Sequence, residues 1–207
     1  MDDLLVVVAD ADAEIGLGAL LSRREALRSL GCGDFTFKII RTTPRSDNAV
    51  RTRTHEIVQP LRGLYSHILV FLDLEGSGAK DPDEIEREIK DKLVKSGWNS
   101  ENVRVIAFIP ELEIWIWSDS PIVAQQMGWE NLKELKEYIS HNHPDWWEKG
   151  ANKPKRPKEV LEKVLRMKGI RRSSSIYGEI ASKVSLKRCS DSQFRRLIEI
   201  LKTWFPG

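Results

Sequence analysis

Cysteine is scarce: Cys32 and Cys189 are the only two in 207 residues, far apart and outside any CxxC or Cys/His spacing. They read as reduced cytoplasmic thiols and argue against a zinc site. Long apolar runs are missing too. LLVVVA (residues 4–9) and ILVFL (residues 68–72) are strand-sized, far short of the roughly 20 residues a bilayer-spanning helix needs. The first residues include Asp2 and Asp3 and lack the basic stretch that opens a signal peptide, so a cytoplasmic location with no membrane partner is expected. Neither a Walker loop nor a nucleophilic Ser or Cys motif occurs, and there is no repeat or low-complexity tract. P-loop nucleotide hydrolysis and Ser/Cys nucleophilic catalysis thus fall outside the expected classes.

What the chain has instead is charge, unevenly spread. The formal net charge is only +2, from 33 Lys/Arg against 31 Asp/Glu. Residues 149–207 hold 16 of the basic groups and 5 of the acidic ones, which leaves 17 basic against 26 acidic groups in the rest. An acidic body joined to a basic segment fits a chemistry-bearing core beside a surface suited to a polyanion; it fits equally a basic segment docked on an acidic one.

Hydrophobic residues make up 41% of the chain, enough for one sizeable core. Leu4 to Val8 form a short continuous apolar run of the kind found in a strand buried on both faces. Apolar residues then recur at helical spacing from Ala13 to Leu30, where GCG (residues 31–33) ends the helix. Phe35–Ile40 reads as a second strand, Ala49–Leu64 as a helix broken at most by Pro60, and Ser66–Leu72 as a third strand. Asp83 is the expected N-cap of an amphipathic helix that runs to Lys95, with Ile85, Ile89, Leu93 and Val94 as its buried stripe. Val103–Ile109 is a fourth strand, closed by Pro110. This order predicts βαβ units with right-handed crossovers, hence an α/β fold with an open, mainly parallel sheet flanked by helices. Residues 1–120 would form that core, and 121–207 a basic, helical C-terminal extension packed on it as one structural domain, with a linker at Lys149–Pro157.

Acids gather where the strands stop: Asp10, Asp12 and Glu14 after the first, Asp73 and Glu75 after the third, Glu111, Glu113 and Asp119 after the fourth. Ligands of open α/β sheets bind at those strand ends, and converging carboxylates repel unless a cation neutralises them. Asp73 and Glu75, two apart at a strand end, would face the same way and offer oxygens to Mg²⁺ (or Mn²⁺); a solvated acidic turn is the plainer reading. Asp12 is the expected helix cap and Glu14 a first-turn acid, so capping leaves Asp10 unexplained. Glu113, among apolar neighbours, needs a partner, a metal ion or an arginine, whereas Glu111 reads as an exposed first-turn residue. Trp115 and Trp117 suit a core or lid better than a base-stacking platform. The His-x-His at His141 and His143 is a weak metal signal.

VVVADADAE followed by VFLDLEG, two helices apart, resembles the Toprim fold, in which an acid ends the first strand and an acid-x-acid pair ends the third. PELEIWIWSD, KPKRPKEVLEKVL, RSSSIYGEIA and CSDSQFRRLIEILKTWFP extend the likeness to the small Toprim-like proteins related to RloB and the OLD nucleases, found among prokaryotic phage-defence genes. The resemblance implies a Toprim-like sheet, with Asp10 in the place of the first-strand glutamate, Glu14 in that of the acid four residues on, Asp73 and Glu75 as the acid-x-acid pair, and Glu113 as the acid of the segment after the fourth strand. Asp10 and Ala11 stand where that family has Glu-Gly, so the first carboxylate reaches about one methylene less.

Basic residues supply the phosphate-binding half of such a site. Arg41 and Arg45, with Arg51 and Arg53 nearby, flank the loop after the second strand; Lys153, Lys155, Arg156 and Lys158 follow, then Arg171 and Arg172 before Ser173–Ser175. Solvated helix faces and helix capping account for the same residues. The expected function is a divalent-metal-dependent nuclease of an anti-phage defence system, with Asp10, Asp73 and Glu75 catalytic, Asp10, Glu14, Asp73, Glu75 and Glu113 as metal ligands, and DNA or RNA as partner. The alternative is a catalytically weak interaction subunit that binds other defence-system proteins.

Overall fold

A computed structural model describes residues 2–207. Four strands form one sheet: β1 (Asp2–Val8), β2 (Phe37–Arg41), β3 (Tyr65–Asp73) and β4 (Val103–Phe108), in the order β2-β1-β3-β4. Every pairing is parallel, with Val8 opposite Arg41, Val7 opposite Val70 and Asp73 opposite Phe108. The chain runs outward from β1 to β2, then crosses back over β1 to lay down β3. Strand order therefore reverses between β1 and β3, which opens a crevice at their carboxyl ends.

Ten α-helices lie among the described residues: α1 (Ala11–Leu21), α2 (Arg24–Arg28), α3 (Asp47–Val58), α4 (Pro82–Lys95), α5 (Glu113–Ile116), α6 (Pro121–Gln126), α7 (Leu132–Asn142), α8 (Pro157–Met167), α9 (Ser174–Lys183) and α10 (Ser192–Trp204). Alternation along the strands sorts the core into two layers. Leu5, Val7, Ile68, Val70 and Val105 pack on α3 and α4 through Val50, Val58, Ile85, Ile89 and Leu93. Leu4, Val6, Leu69, Phe71 and Phe108 meet the other layer, where α1 and the helices of residues 121–207 share one apolar cluster. The fold is α/β, with a four-stranded, all-parallel open sheet flanked by helices.

Some boundaries differ from the pattern-based expectation. The helix expected over Ala13–Leu30 divides, because Arg23 leaves helical geometry (φ −82°, ψ 64°) and donates through Nη1 to Ala181 O and Val184 O, satisfying carbonyls at the end of α9. Asp81, not Asp83, caps α4 and accepts from Asp83 N. The helix expected to reach Leu64 stops at Val58 and gives way to a short 3₁₀ turn that contains Pro60.

Two contacts fix the layers. α1 crosses α9 closely at Gly16 and Gly178; a Cβ on Gly178 would lie 2.8 Å from Ile15 Cγ2. At the β4 edge of the sheet, Glu86 of α4 accepts from Ala107 N (3.0 Å) and pairs with Arg196 of α10 (2.5 Å). An edge-strand donor is thereby satisfied, and α4, β4 and α10 are tied together. Glu86→Ala leaves a buried N–H without an acceptor and a guanidinium without its anion, so a loss of about 2–4 kcal/mol is expected in denaturant unfolding. Glu86→Gln, which still accepts from Ala107, should lose less than half of that.

Candidate metal centre

The site is built from the exits of β1, β3 and β4. Asp10 follows β1 and adopts extended geometry as the N-cap of α1, with Oδ1 accepting from Ala13 N at 3.0 Å. Asp12 lies in the first turn and turns toward the extension: Oδ1 accepts from Ser174 Oγ (2.5 Å) and Oδ2 from Arg172 Nη2 (2.8 Å). These roles are the reverse of the expected ones. The helix starts at Ala11, ahead of its apolar pattern, so the cap falls on Asp10.

Asp73 is the last residue of β3. Its N–H donates to Asp47 Oδ1 (2.8 Å), and its own Oδ1 accepts from Leu112 N (2.8 Å). Leu74 is already helical (φ −62°, ψ −44°) and begins a 3₁₀ turn at Glu75. Strand alternation ends there, so Glu75 does not share Asp73's face and stands exposed.

The segment after β4 makes up the difference. Glu111 and Glu113 are only 5% and 3% exposed. One oxygen from each of Asp73, Glu111 and Glu113 lies within 4.8 Å of the others, the one such group among the described residues. Glu111 is thus not an exposed first-turn acid: its Oε1 accepts from Lys158 N at 3.0 Å and caps the start of α8. Glu113 Oε1 accepts from Tyr177 Oη (2.6 Å) and Arg172 Nη2 (2.9 Å).

The electrostatics follow from this crowding. Burial, then the charges of Asp47 and Glu113, hold the Asp73 carboxyl well above the usual carboxylate range. Burial and Glu113 push Glu111 to about 7. Burial also raises Asp47, helped by Asp10. A cavity of about 30 Å³ beside these groups is lined by Asp10, Asp12, Asp47, Asp73, Glu113, Lys158 and Arg172, room for a water or a small ion. The clustered side chains offer anionic oxygens, and Asp47, Asp73 and Glu111 ionise only at a cost that a cation would reduce. Such a cluster could bind a divalent ion.

Other expected ligands are engaged elsewhere. Glu14 pairs with Arg41 (3.0 Å). Lys153 pairs with Asp191 (2.9 Å), Lys155 with Glu148 (2.5 Å) and Arg156 with Glu159. Arg45 and Arg171 are exposed, with no acidic partner among the described residues. His143 stacks on Trp146 at 4.3 Å. Trp117 is buried, and Trp115 packs edge-on to Phe108 and donates to Asp191, so both tryptophans belong to the core. Asp47 and Tyr177 went unread in the sequence. Asp47 sits in RSDN, which looks like a plain loop-to-helix start capped by Ser46, and only a strand neighbour's carboxyl end gives it meaning.

A scan against protein-family models, a search of curated proteins and a search of solved structures each return no match for this chain. Fold and site therefore define it by class: an α/β protein, with a sheet consistent with a Toprim-like fold, whose clustered carboxylates could bind a divalent ion.

A pH dependence follows. Glu111 has a folded-state value of about 7, above the ordinary 4.5, so the folded protein binds the extra proton. Stability then falls as pH rises through that window, on the order of 3 kcal/mol for a shift of this size. Metal-free protein should show a higher urea midpoint at pH 5 than at pH 8, and Glu111→Gln should shrink the difference, with the raised Asp73 and Asp47 carboxyls carrying what remains.

Proposed function

We propose that this protein is a divalent-cation-dependent phosphodiesterase that acts on nucleic acid, the activity implied by its resemblance to Toprim-like nucleases of prokaryotic defence systems. The observation that carries the reading is the convergence of half-buried Asp73 with buried Glu111 and Glu113 at the carboxyl edge of a parallel sheet. Asp73, Glu111 and Glu113 would hold the cation. A divalent ion there would polarise a phosphoryl oxygen and favour hydroxide over water as nucleophile.

The chain's own groups supply the rest. Asp10 lines the cavity and gives Oδ1 to the cap of α1, so its second oxygen would accept the proton of an attacking water. Lys158, drawn to Glu113, Glu111 and Asp73, sets a positive charge beside the position of a phosphoryl group. Arg45 and Arg171 extend the positive surface along a polyanion. The interaction-subunit reading draws on two features: Glu75 lies outside the triad, and much of the basic segment is consumed in internal ion pairs.

One experiment separates them. With Mg²⁺ or Mn²⁺ at about a hundredfold excess over Kd, stabilisation near 2.7 kcal/mol should raise Tm by about 5–10 °C. Asp73→Asn should abolish that rise while it stabilises the metal-free protein, because it removes a buried, repelled charge. The same variant should lose at least about a hundredfold in cleavage of single- or double-stranded DNA or RNA. No cation-dependent change in Tm, together with a protein partner retained through purification, supports the subunit reading.

A further inference from the structure

Arg172 is the one cation that forms a direct ion pair with a member of the carboxylate triad among the described residues. It lies between α8 and α9, and its guanidinium is heavily committed on one side. Nη2 donates to Asp12 Oδ2 (2.8 Å), Glu113 Oε1 (2.9 Å) and Tyr177 Oη (2.8 Å), and Nη1 reaches Glu162 at 3.3 Å. Nε is shut from solvent and has no acceptor at all. A buried N–H left unmatched costs free energy, so a guanidinium that turns out of this setting gains an acceptor for Nε from a phosphoryl oxygen. Five of the seven charged groups that line the cavity are acidic, so Arg172 carries a large share of the neutralisation.

We propose that Arg172 is a positioning residue that couples cation binding to phosphate binding at this site, an inference that rests on the phosphodiesterase reading above. Without a divalent ion, the guanidinium acts as the internal counter-charge for Glu113 and Asp12. An ion that takes up Glu113 puts a double positive charge beside the guanidinium, weakens that pair and turns the fork toward the next anion available, a nucleotide phosphate. Linkage makes the effect mutual: phosphate held by Arg172 removes a competitor for Glu113 and so tightens the cation. The order of assembly is then built into one side chain.

The test is calorimetric titration of Mg²⁺ into the full chain, alone and with saturating thymidine 5′-monophosphate. In the wild type, the nucleotide should tighten Mg²⁺ about tenfold. In Arg172→Gln, Mg²⁺ alone should bind at least as tightly as in the wild type, and the nucleotide should change its affinity by less than about twofold. Arg172→Lys keeps the charge, and with it the fold, but lacks the fork; its coupling should likewise fall to about twofold or less. Equal coupling in the wild type and both variants overturns the inference while the metal reading stands. So does a wild type in which the nucleotide has no effect, or an Arg172→Gln protein that binds Mg²⁺ more weakly than the wild type. If the wild type binds no Mg²⁺, the metal reading falls and this inference falls with it.

Discussion

Three carboxylates held close together away from water are the constraint that orders this structure. Asp73 and Glu111 ionise there only at a cost, because burial strips them of solvent and the charge of Glu113 opposes theirs. The fold supplies help of several kinds. Backbone donors serve two of the acids directly, Leu112 N for Asp73 and Lys158 N for Glu111. Arg172 and Tyr177 together hold Glu113. What remains of the repulsion is expressed as raised proton affinity. A site that binds protons more tightly than its chemistry would ordinarily allow is also one that a cation can enter with a gain in stability.

The neutralising groups come largely from the helical extension, so residues 121–207 are part of the site. Lys158 stands at the start of α8, Arg172 precedes α9, and Ser174 and Tyr177 belong to α9 itself. Their placement depends on how closely α9 approaches α1, and that approach passes through Gly16 and Gly178. Ile176 and Ile180 of the same helix are buried in the apolar layer beneath the sheet. A change that repacks this layer would therefore move the hydroxyl and guanidinium that orient Glu113. The basic character of the extension is likewise spent in part inside the molecule: Lys153 is locked to Asp191, whose other oxygen receives Trp115 and caps α10.

The strands and the sheet class were legible because apolar runs of strand length alternated with helical periodicity, a signal that depends only on local order. Asp73 and Glu113 were legible as candidates for the same reason, being acids at strand ends or in apolar surroundings. Glu111 and Glu75 depart from the expected placement in opposite directions. The decision turned on a single residue of backbone geometry: Leu74 leaves the strand, so Glu75 swings out, while the chain after β4 folds back and buries Glu111 against α8. Sequence spacing does not encode where alternation stops. Asp12 and Asp10 exchanged roles for a related reason, since a shift of two residues in a helix start moves the cap with it. The pairing of Arg172 with Asp12, 160 positions away, lay beyond any local pattern.

Burial also decides which of the many acids would hold a cation. Asp10 is exposed and spends one oxygen on a helix cap, and Glu75 is exposed on a turn, so water already surrounds both. A cation offered to such groups must displace solvent that already stabilises them, and the net gain is small. Glu111 is nearly sealed, and Asp73 is half-buried beside Asp47 and Glu113, so the charged forms of these two are strained until a positive partner arrives. The gain from binding is then the release of that strain. Arg172 and Tyr177 both hold Glu113 through Oε1, which leaves Oε2 without a hydrogen bond. A carboxylate anchored by one oxygen and free at the other is oriented before any ligand comes, and orientation settled in advance lowers the cost at which such a cluster could take up a cation.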